Sequence, residues 1–183
     1  MFEEKLVKPI SVAGLALMLA FVASKAHEEI YPVIGQTVSY PSSVTRVIDG
    51  DTIEILMEGN WTKKKIRLAC VDAPESDQPE GPLSTQYLTE LIKTGNNQIY
   101  FDNKGYDRYD RMIAEIYIKT EDQMININKD LIQEGYAVVY SQYLDQCNQP
   151  ADYLQLEEEA KREGKGVWSS PTFIEPSKWR RRA

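Results

Sequence analysis

VTRVIDGDTIEI, residues 44–55, is the stretch from which the fold is read. β-branched and aliphatic residues flank the dipeptide Asp49-Gly50. Such a dipeptide tolerates the positive φ angles of a tight turn, so the pattern predicts two antiparallel strands joined as a hairpin. Asp51 falls where the turn meets the second strand. Taken alone it reads as a solvated turn acid.

Downstream, EGN at 58–60 reads as a second turn and WTKKKIRLACV at 61–71 as a third strand. Ile66, Leu68 and Cys70 share one face of that strand and Arg67 lies on the other. In the following DAPES, Pro74 has no backbone donor, so the strand is expected to end near Val71 and to leave Asp72 and Glu75 on a strand-end loop. LSTQYLTELIKT at 83–94 places Leu83, Tyr87, Leu88 and Leu91 at helical spacing, with Gly95 as the stop. QIYFD at 98–102 and RMIAEIYIK at 111–119 alternate like strands across the polar link NKGYDRYD. INKDLIQEG at 127–135 is helical, with Ile127, Leu131 and Ile132 on one face. YAVVYSQYL at 136–144 reads as extended, and ADYLQLEEEAKREGKG at 151–166 as a helix closed by Gly164 or Gly166. Five short strands interrupted and followed by about three helices predict an α+β domain: an OB-like, five-stranded Greek-key β-barrel with packed helices.

At 183 residues, with 42% hydrophobic and 27% charged residues, the composition is that of one globular domain with a leader. The apolar run Ile10–Ala23 is shorter than the roughly 20 residues of a membrane-spanning helix and ends in small residues. Residues 1–26 are therefore expected to be a signal peptide, with an uncleaved N-terminal membrane anchor as the rival. Residues 27–42 read as a linker, 43–170 as the domain and 171–183 as an irregular basic tail whose terminal RRRA is expected to be solvated, with contact to phosphates as the alternative. The expected location is outside the cytoplasm, secreted or in the cell envelope. No repeat or low-complexity tract is present.

The net charge of −7 argues against diffuse electrostatic attachment to nucleic acid, so a polyanion must meet a local basic site or a metal. One histidine, His27, and two cysteines, Cys70 and Cys147, cannot supply a four-ligand Cys/His zinc site. Acid–base chemistry then rests on carboxylates, Lys, Tyr or water. Charged residues at element boundaries are Asp51, Arg67, Asp72, Glu75 and Arg111. Carboxylates from two segments suit a hard cation, and two arginines suit a phosphate. Each also reads as an ordinary surface or paired residue. Regular strand period even sets Arg67 and Asp72 on opposite faces, so a break must reorient one of them.

The motifs VIDGDTIEI, KIRLACVDAPES, DRYDRMIAEIYI, INKDLIQEGYAVV and EEEAKREGKGVW, in this order, resemble the staphylococcal nuclease family over roughly residues 44–169. The resemblance implies an OB barrel and Ca²⁺-dependent hydrolysis of DNA and RNA to 3′-phosphate and 5′-hydroxyl ends by a monomer. It implies Asp51 and Asp72 as calcium ligands with the carbonyl of Ala73, Glu75 as activator of the attacking water, and Arg67 and Arg111 as the arginines that hold the phosphate. Tyr109 is a candidate for stacking on the substrate. Two departures are visible: SDQPEGPLS after Glu75 lacks lysines, and Asp110 stands where a glycine is common. Export would expose Cys70 and Cys147 to oxidation, making them candidates for a disulfide, with two separate thiols as the alternative. A non-catalytic OB-fold module binding nucleic acid or protein is the alternative reading of the whole chain.

Overall fold

A computed structural model describes residues 33–34, 37–38, 41–57, 59 and 61–182. The expected leader or anchor, 1–26, lies outside the described residues, as does most of the 27–42 linker. No helix among the described residues is long and apolar enough to cross a membrane. Within the linker, strands β1 (Val33–Ile34) and β2 (Thr37–Val38) pair antiparallel, which the reading as an irregular arm does not include.

The barrel is built from β3 (Ser42–Val47), β4 (Thr52–Leu56), β5 (Lys63–Leu68), β7 (Gln98–Tyr106) and β8 (Met112–Lys119). β4 pairs antiparallel with β3 and β5, and β7 with β3 and β8. β5 runs parallel to β8, with Arg67 opposite Ile113, and this pairing closes the barrel. A short β9 (Met124–Asn126) continues the sheet beyond β8. Alternation along the strands explains the closure: Ile53, Ile55, Ile66, Leu68, Ile99, Ala114, Ile116 and Ile118 are all buried. Turning these aliphatic faces inward removes them from water without leaving an open apolar sheet face.

Three helices cover the barrel: α1 (Gly81–Thr94), α2 (Ile127–Gln133) and α3 (Pro150–Glu163). Ile127, Leu131 and Ile132 of α2 are fully buried, as the helical spacing predicts. The buried Asn128 accepts from the Ile116 N–H (2.9 Å) and donates to the Ala69 carbonyl (2.8 Å), tying α2 to β8 and to the end of β5. α3 ends at Gly164 in the left-handed conformation (φ 63°), the C-terminal signal read from sequence.

The structure departs from the sequence reading at several points. Leu83 is 60% exposed, because α1 starts at Gly81 and turns Ser84, Leu88 and Ile92 inward. β5 ends at Leu68 rather than Val71, and after a turn at Ala69-Cys70 the chain forms a separate two-residue strand, β6 (Val71–Asp72). Its partner is β10 (Val138–Val139), the one part of 136–144 that is a strand; residues 141–146 form a 3₁₀ helix. β7 runs on to Tyr106. The tail is ordered: Pro176–Trp179 form a short helix, α4, and Pro176 is buried.

Gly50 also serves differently than expected. It does not adopt a positive φ. A Cβ there would collide with the Ser84 hydroxyl and the Ala73 methyl, so this glycine lets the β3–β4 turn pack against α1 and the loop after β6.

Candidate active site

Asp51 enters β4 directly from that turn, and neighbours fix its carboxylate on every side. The Thr52 hydroxyl donates to Oδ1 (3.0 Å) and the Ala73 N–H to Oδ2 (2.9 Å), while the Asp51 N–H donates to Asp49 (3.1 Å). Burial, the largest cause, and the nearby Asp51 charge push the Asp49 carboxyl up to about 6, against the hydrogen bonds from the Asp51 N–H and Thr52, which lower it.

Arg67 projects from the end of β5 toward the same carboxylate. One guanidinium nitrogen lies 2.9 Å from Asp51 Oδ2 and the other 3.3 Å from Asp72 Oδ1. Arg67 also donates to the Val71 carbonyl at 3.0 Å. The period problem is solved by the backbone: Cys70 is left-handed (φ 70°), which breaks the strand and brings Asp72, five residues on, to the Arg67 side. The Asp51, Arg67 and Asp72 side chains are 11%, 12% and 2% exposed. Burial pushes the Asp72 carboxyl above the usual range; Arg180 and Arg67 pull against it and Asp51 adds to it.

Glu75 follows on the loop between β6 and α1. Buried Gln78 accepts from the Glu75 N–H (2.8 Å) and donates to the Ile174 carbonyl (2.8 Å), clamping this loop to the tail. Gly81 is required below it, since a Cβ there would collide with the Glu75 carbonyl. The Glu75 carboxylate pairs with Arg180, an arginine 105 positions away that also grips both oxygens of Asp72, at 2.9 and 3.0 Å. The expectation of solvated tail arginines is therefore corrected at Arg180. Its guanidinium is held protonated by the bonds to Asp72 and Glu75.

Arg111 is presented by a separate loop. Asp107 accepts from the backbone N–H groups of Tyr109 (2.9 Å) and Arg111 (3.0 Å) and from Arg111 Nε (2.7 Å). Asp110 takes the left-handed conformation (φ 59°) that a glycine would adopt freely; a short polar side chain tolerates it. Tyr109 is 64% exposed, with the Arg108 and Arg111 guanidiniums over its ring at 4.8 and 5.7 Å. A cavity of about 410 Å³ connects this loop to Arg67, lined also by Tyr106, Tyr140 and Tyr143.

The structure thus joins Asp51, Arg67, Asp72, Arg180 and Glu75 through direct contacts, and sets Arg67 and Arg111 on one cavity. Ala73 turns its N–H onto Asp51. Cys70 and Cys147 form a disulfide, with Cα atoms 5.7 Å apart. Sequence reasoning missed Arg180 and left Tyr140 without a role. The Tyr140 ring lies 5.9 Å from both the Arg67 and Arg180 guanidiniums.

The model of the staphylococcal nuclease homologue family matches residues 65–170. The chain belongs to the staphylococcal nuclease family. The match includes Arg67, Asp72, Ala73, Glu75, Tyr109 and Arg111, whereas Asp51 precedes it and Arg180 follows it. This family member is 39% identical over 138 residues to a Haemophilus influenzae protein described as an uncharacterized endonuclease, covering 75% of this chain and 71% of that protein. It is 37% identical over 149 residues to a micrococcal nuclease of Shigella flexneri, covering 78% and 81% of the two chains. It is 32% identical over 174 residues to Protein ParB of Escherichia coli, covering 92% and 89%.

Proposed function

We propose that this member of the staphylococcal nuclease family is an exported endonuclease that hydrolyses DNA and RNA with Ca²⁺, leaving 3′-phosphate and 5′-hydroxyl ends. The observation that carries the proposal is the contact chain Asp51–Arg67–Asp72–Arg180–Glu75, whose Arg67 lines one cavity with Arg111. It supplies two carboxylates for a cation, a third for water and two arginines for a phosphate.

The donor set fits a hard cation. Two buried carboxylates converge on the one guanidinium of Arg67, so positive charge is what this pocket already stabilises. Among the described residues no cluster of three or more His, Cys, Asp or Glu is arranged to hold an ion by itself, so carbonyl and water oxygens would complete the shell. Asp51 and Asp72 would hold Ca²⁺ together with the Ala73 carbonyl, and the bound ion supplies positive charge to a nonbridging phosphate oxygen.

The protein's own groups do the rest. Glu75 accepts a proton from water as the water oxygen bonds to phosphorus, and the bond from phosphorus to the 5′ oxygen breaks, that oxygen taking a proton from solvent. Arg67 and Arg111 donate to the phosphate oxygens, and their hold strengthens as charge accumulates in the five-coordinate transition state. Tyr109 offers an exposed ring for stacking on a base or sugar. An oxidising compartment suits the Cys70–Cys147 bond and supports export, which N-terminal sequencing of the mature chain from the cell envelope and medium would check.

Digestion of single-stranded DNA by the purified protein is the test. Activity should require Ca²⁺, stop with chelator, and leave 3′-phosphate ends by mass spectrometry. Glu75→Gln should lose about 10²–10⁴-fold in turnover. Full activity in Glu75→Gln would sink this mechanism, and Ca²⁺-dependent DNA binding without cleavage would establish the binding-module reading instead.

A further inference from the structure

Glu75 is the most exposed carboxylate of the site. Its side chain is 36% exposed, and Arg180 is its only side-chain partner among the described residues. A glutamate on an exposed loop samples many rotamers, and ordering it costs free energy that some contact must supply. Arg180 is suited to supply it because it is itself anchored. Its two guanidinium nitrogens grip both oxygens of Asp72, which is 2% exposed, and Nη1 then reaches Glu75 Oε1. The planar fork of a guanidinium sets two nitrogens against both oxygens of Asp72 while one of them reaches Glu75; an ammonium has a single nitrogen and lacks this two-point match. Glu75 Oε2 accepts no hydrogen bond from a described residue and so remains available to a water.

The segment that delivers Arg180 is fixed at three further points. Gln78, 2% exposed, donates to the Ile174 carbonyl; Pro176 is buried; and the Trp179 indole N–H donates to Asp77 at 3.1 Å. Gln78 and Asp77 belong to the same loop as Glu75. The Tyr140 ring, 5.9 Å from both guanidiniums, borders Arg67 and Arg180 alike. The tail therefore packs on the catalytic loop itself.

We propose that Arg180 is a positioning residue of the phosphodiesterase site: anchored on Asp72, it holds Glu75 in the geometry for water activation, so the segment 174–180 is part of the active site. The inference rests on the role given to Glu75 above. It adds a third arginine to Arg67 and Arg111, one that acts through Glu75.

Steady-state hydrolysis of single-stranded DNA by Arg180→Ala and Arg180→Lys in the full chain tests the proposal, with Asp77→Ala as a variant that loosens the Trp179 contact and leaves Arg180 intact. Arg180→Ala should lose about 10²-fold in kcat, the order expected when a reacting group is misplaced by about 1 Å, with KM within about threefold. Arg180→Lys should recover only part of the loss, since a shorter side chain with a single nitrogen cannot grip both oxygens of Asp72 as a planar fork while also reaching Glu75, and Asp77→Ala should be milder. Millimolar guanidinium should restore part of the Arg180→Ala activity and none of that of Glu75→Gln. Calorimetry should show Ca²⁺ binding to Arg180→Ala at least as tight as to wild type, because a positive charge has left Asp72.

Wild-type turnover in Arg180→Ala would overturn the inference, and faster turnover would make the guanidinium a plug rather than a brace. Loss without guanidinium rescue, or with weakened Ca²⁺ binding, would also overturn it, assigning the effect to folding or to the metal pocket. If Glu75→Gln were itself fully active, the underlying mechanism would fail instead, so the two failures are distinguishable.

Discussion

Asp51, Arg67 and Asp72 are held from every side, whereas Tyr109 and Arg111 hang from a single aspartate. The first wall sits between β4, β5 and β6, and its three side chains are at most 12% exposed. A backbone N–H, a threonine hydroxyl and a main-chain carbonyl complete its bonding. The second wall is the 107–111 turn, in which Asp107 ties the Tyr109 and Arg111 backbones and Arg111 Nε, and the Tyr109 ring stands in solvent. The difference separates two tasks. A cation and the charge of a reacting phosphate need fixed dipoles in a poorly solvated place, where they act most strongly. A polymer of varying sequence is better met by an exposed ring on a turn that can move with it.

Arg67→Ala should separate the walls most sharply. It leaves the buried Asp51 facing Asp72 without its guanidinium, and breaking a buried pair of this kind costs about 3–5 kcal/mol. Urea unfolding in chelator should show that loss, and saturating Ca²⁺ should recover part of it by binding only the folded site. Turnover should fall about 10²–10³-fold. An unchanged urea midpoint in chelator would mean that the first wall is not a concentrated acid pair, and the contrast would collapse.

Reduction of the disulfide comes next. The bond joins Cys70, on the first wall, to Cys147, which follows the 3₁₀ turn carrying Tyr143 and Gln146 into the cavity. Closing a loop across 77 positions should contribute about 4.5 kcal/mol on the chain-entropy account. Urea unfolding with and without reductant measures it. A loss under about 1 kcal/mol would show that the barrel pairing alone fixes the first wall.

Much of this was legible in the chain. Alternation in VTRVIDGDTIEI and RMIAEIYIK marked barrel strands, and the 83–94, 127–135 and 151–166 periods marked three helices. Periodicity could not give the turn at Cys70, because a non-glycine residue in the left-handed conformation carries no sequence mark, and that turn places Asp72 beside Arg67. Nor could it give Gly50's role, which is set by α1, some 30 residues on, rather than by its own φ. Arg180 was beyond local reading altogether: it sits in a polar tail, and only tertiary packing brings it across 105 positions to Glu75.

On the second wall, Asp107→Ala should have a smaller effect. Burial alone would raise the Asp107 carboxyl, but the hydrogen bonds from Arg111 and Tyr109 outweigh it and hold the group below its usual 3.8. A carboxyl depressed in the folded state stabilises the loop above its unfolded value and loses that contribution as pH falls through its lower, folded value. The loop should therefore be intact at neutral pH and loosen only below about pH 4. At neutral pH the variant should lose about tenfold in kcat/KM through a misplaced Arg111, equivalent to about 1.4 kcal/mol. Global stability should change by less, which thermal unfolding would show. A loss as large as that of Arg67→Ala would put the two walls on equal footing.

Tyr109→Ala should have the smallest effect, and it decides what the ring is for. The side chain is 64% exposed, and its hydroxyl bonds to no described residue, so removal should leave stability within about 0.5 kcal/mol. If the ring stacks on substrate, KM should rise roughly tenfold with kcat unchanged, since a stacked base contributes about 1–3 kcal/mol. Tyr109→Phe should then behave as wild type. If the ring instead braces the guanidinium of Arg111, 5.7 Å away, kcat should fall and KM should hold. That second outcome would transfer Tyr109 from the grip on the polymer to the support of the reacting phosphate, and with it the second wall would lose its claim to adjust.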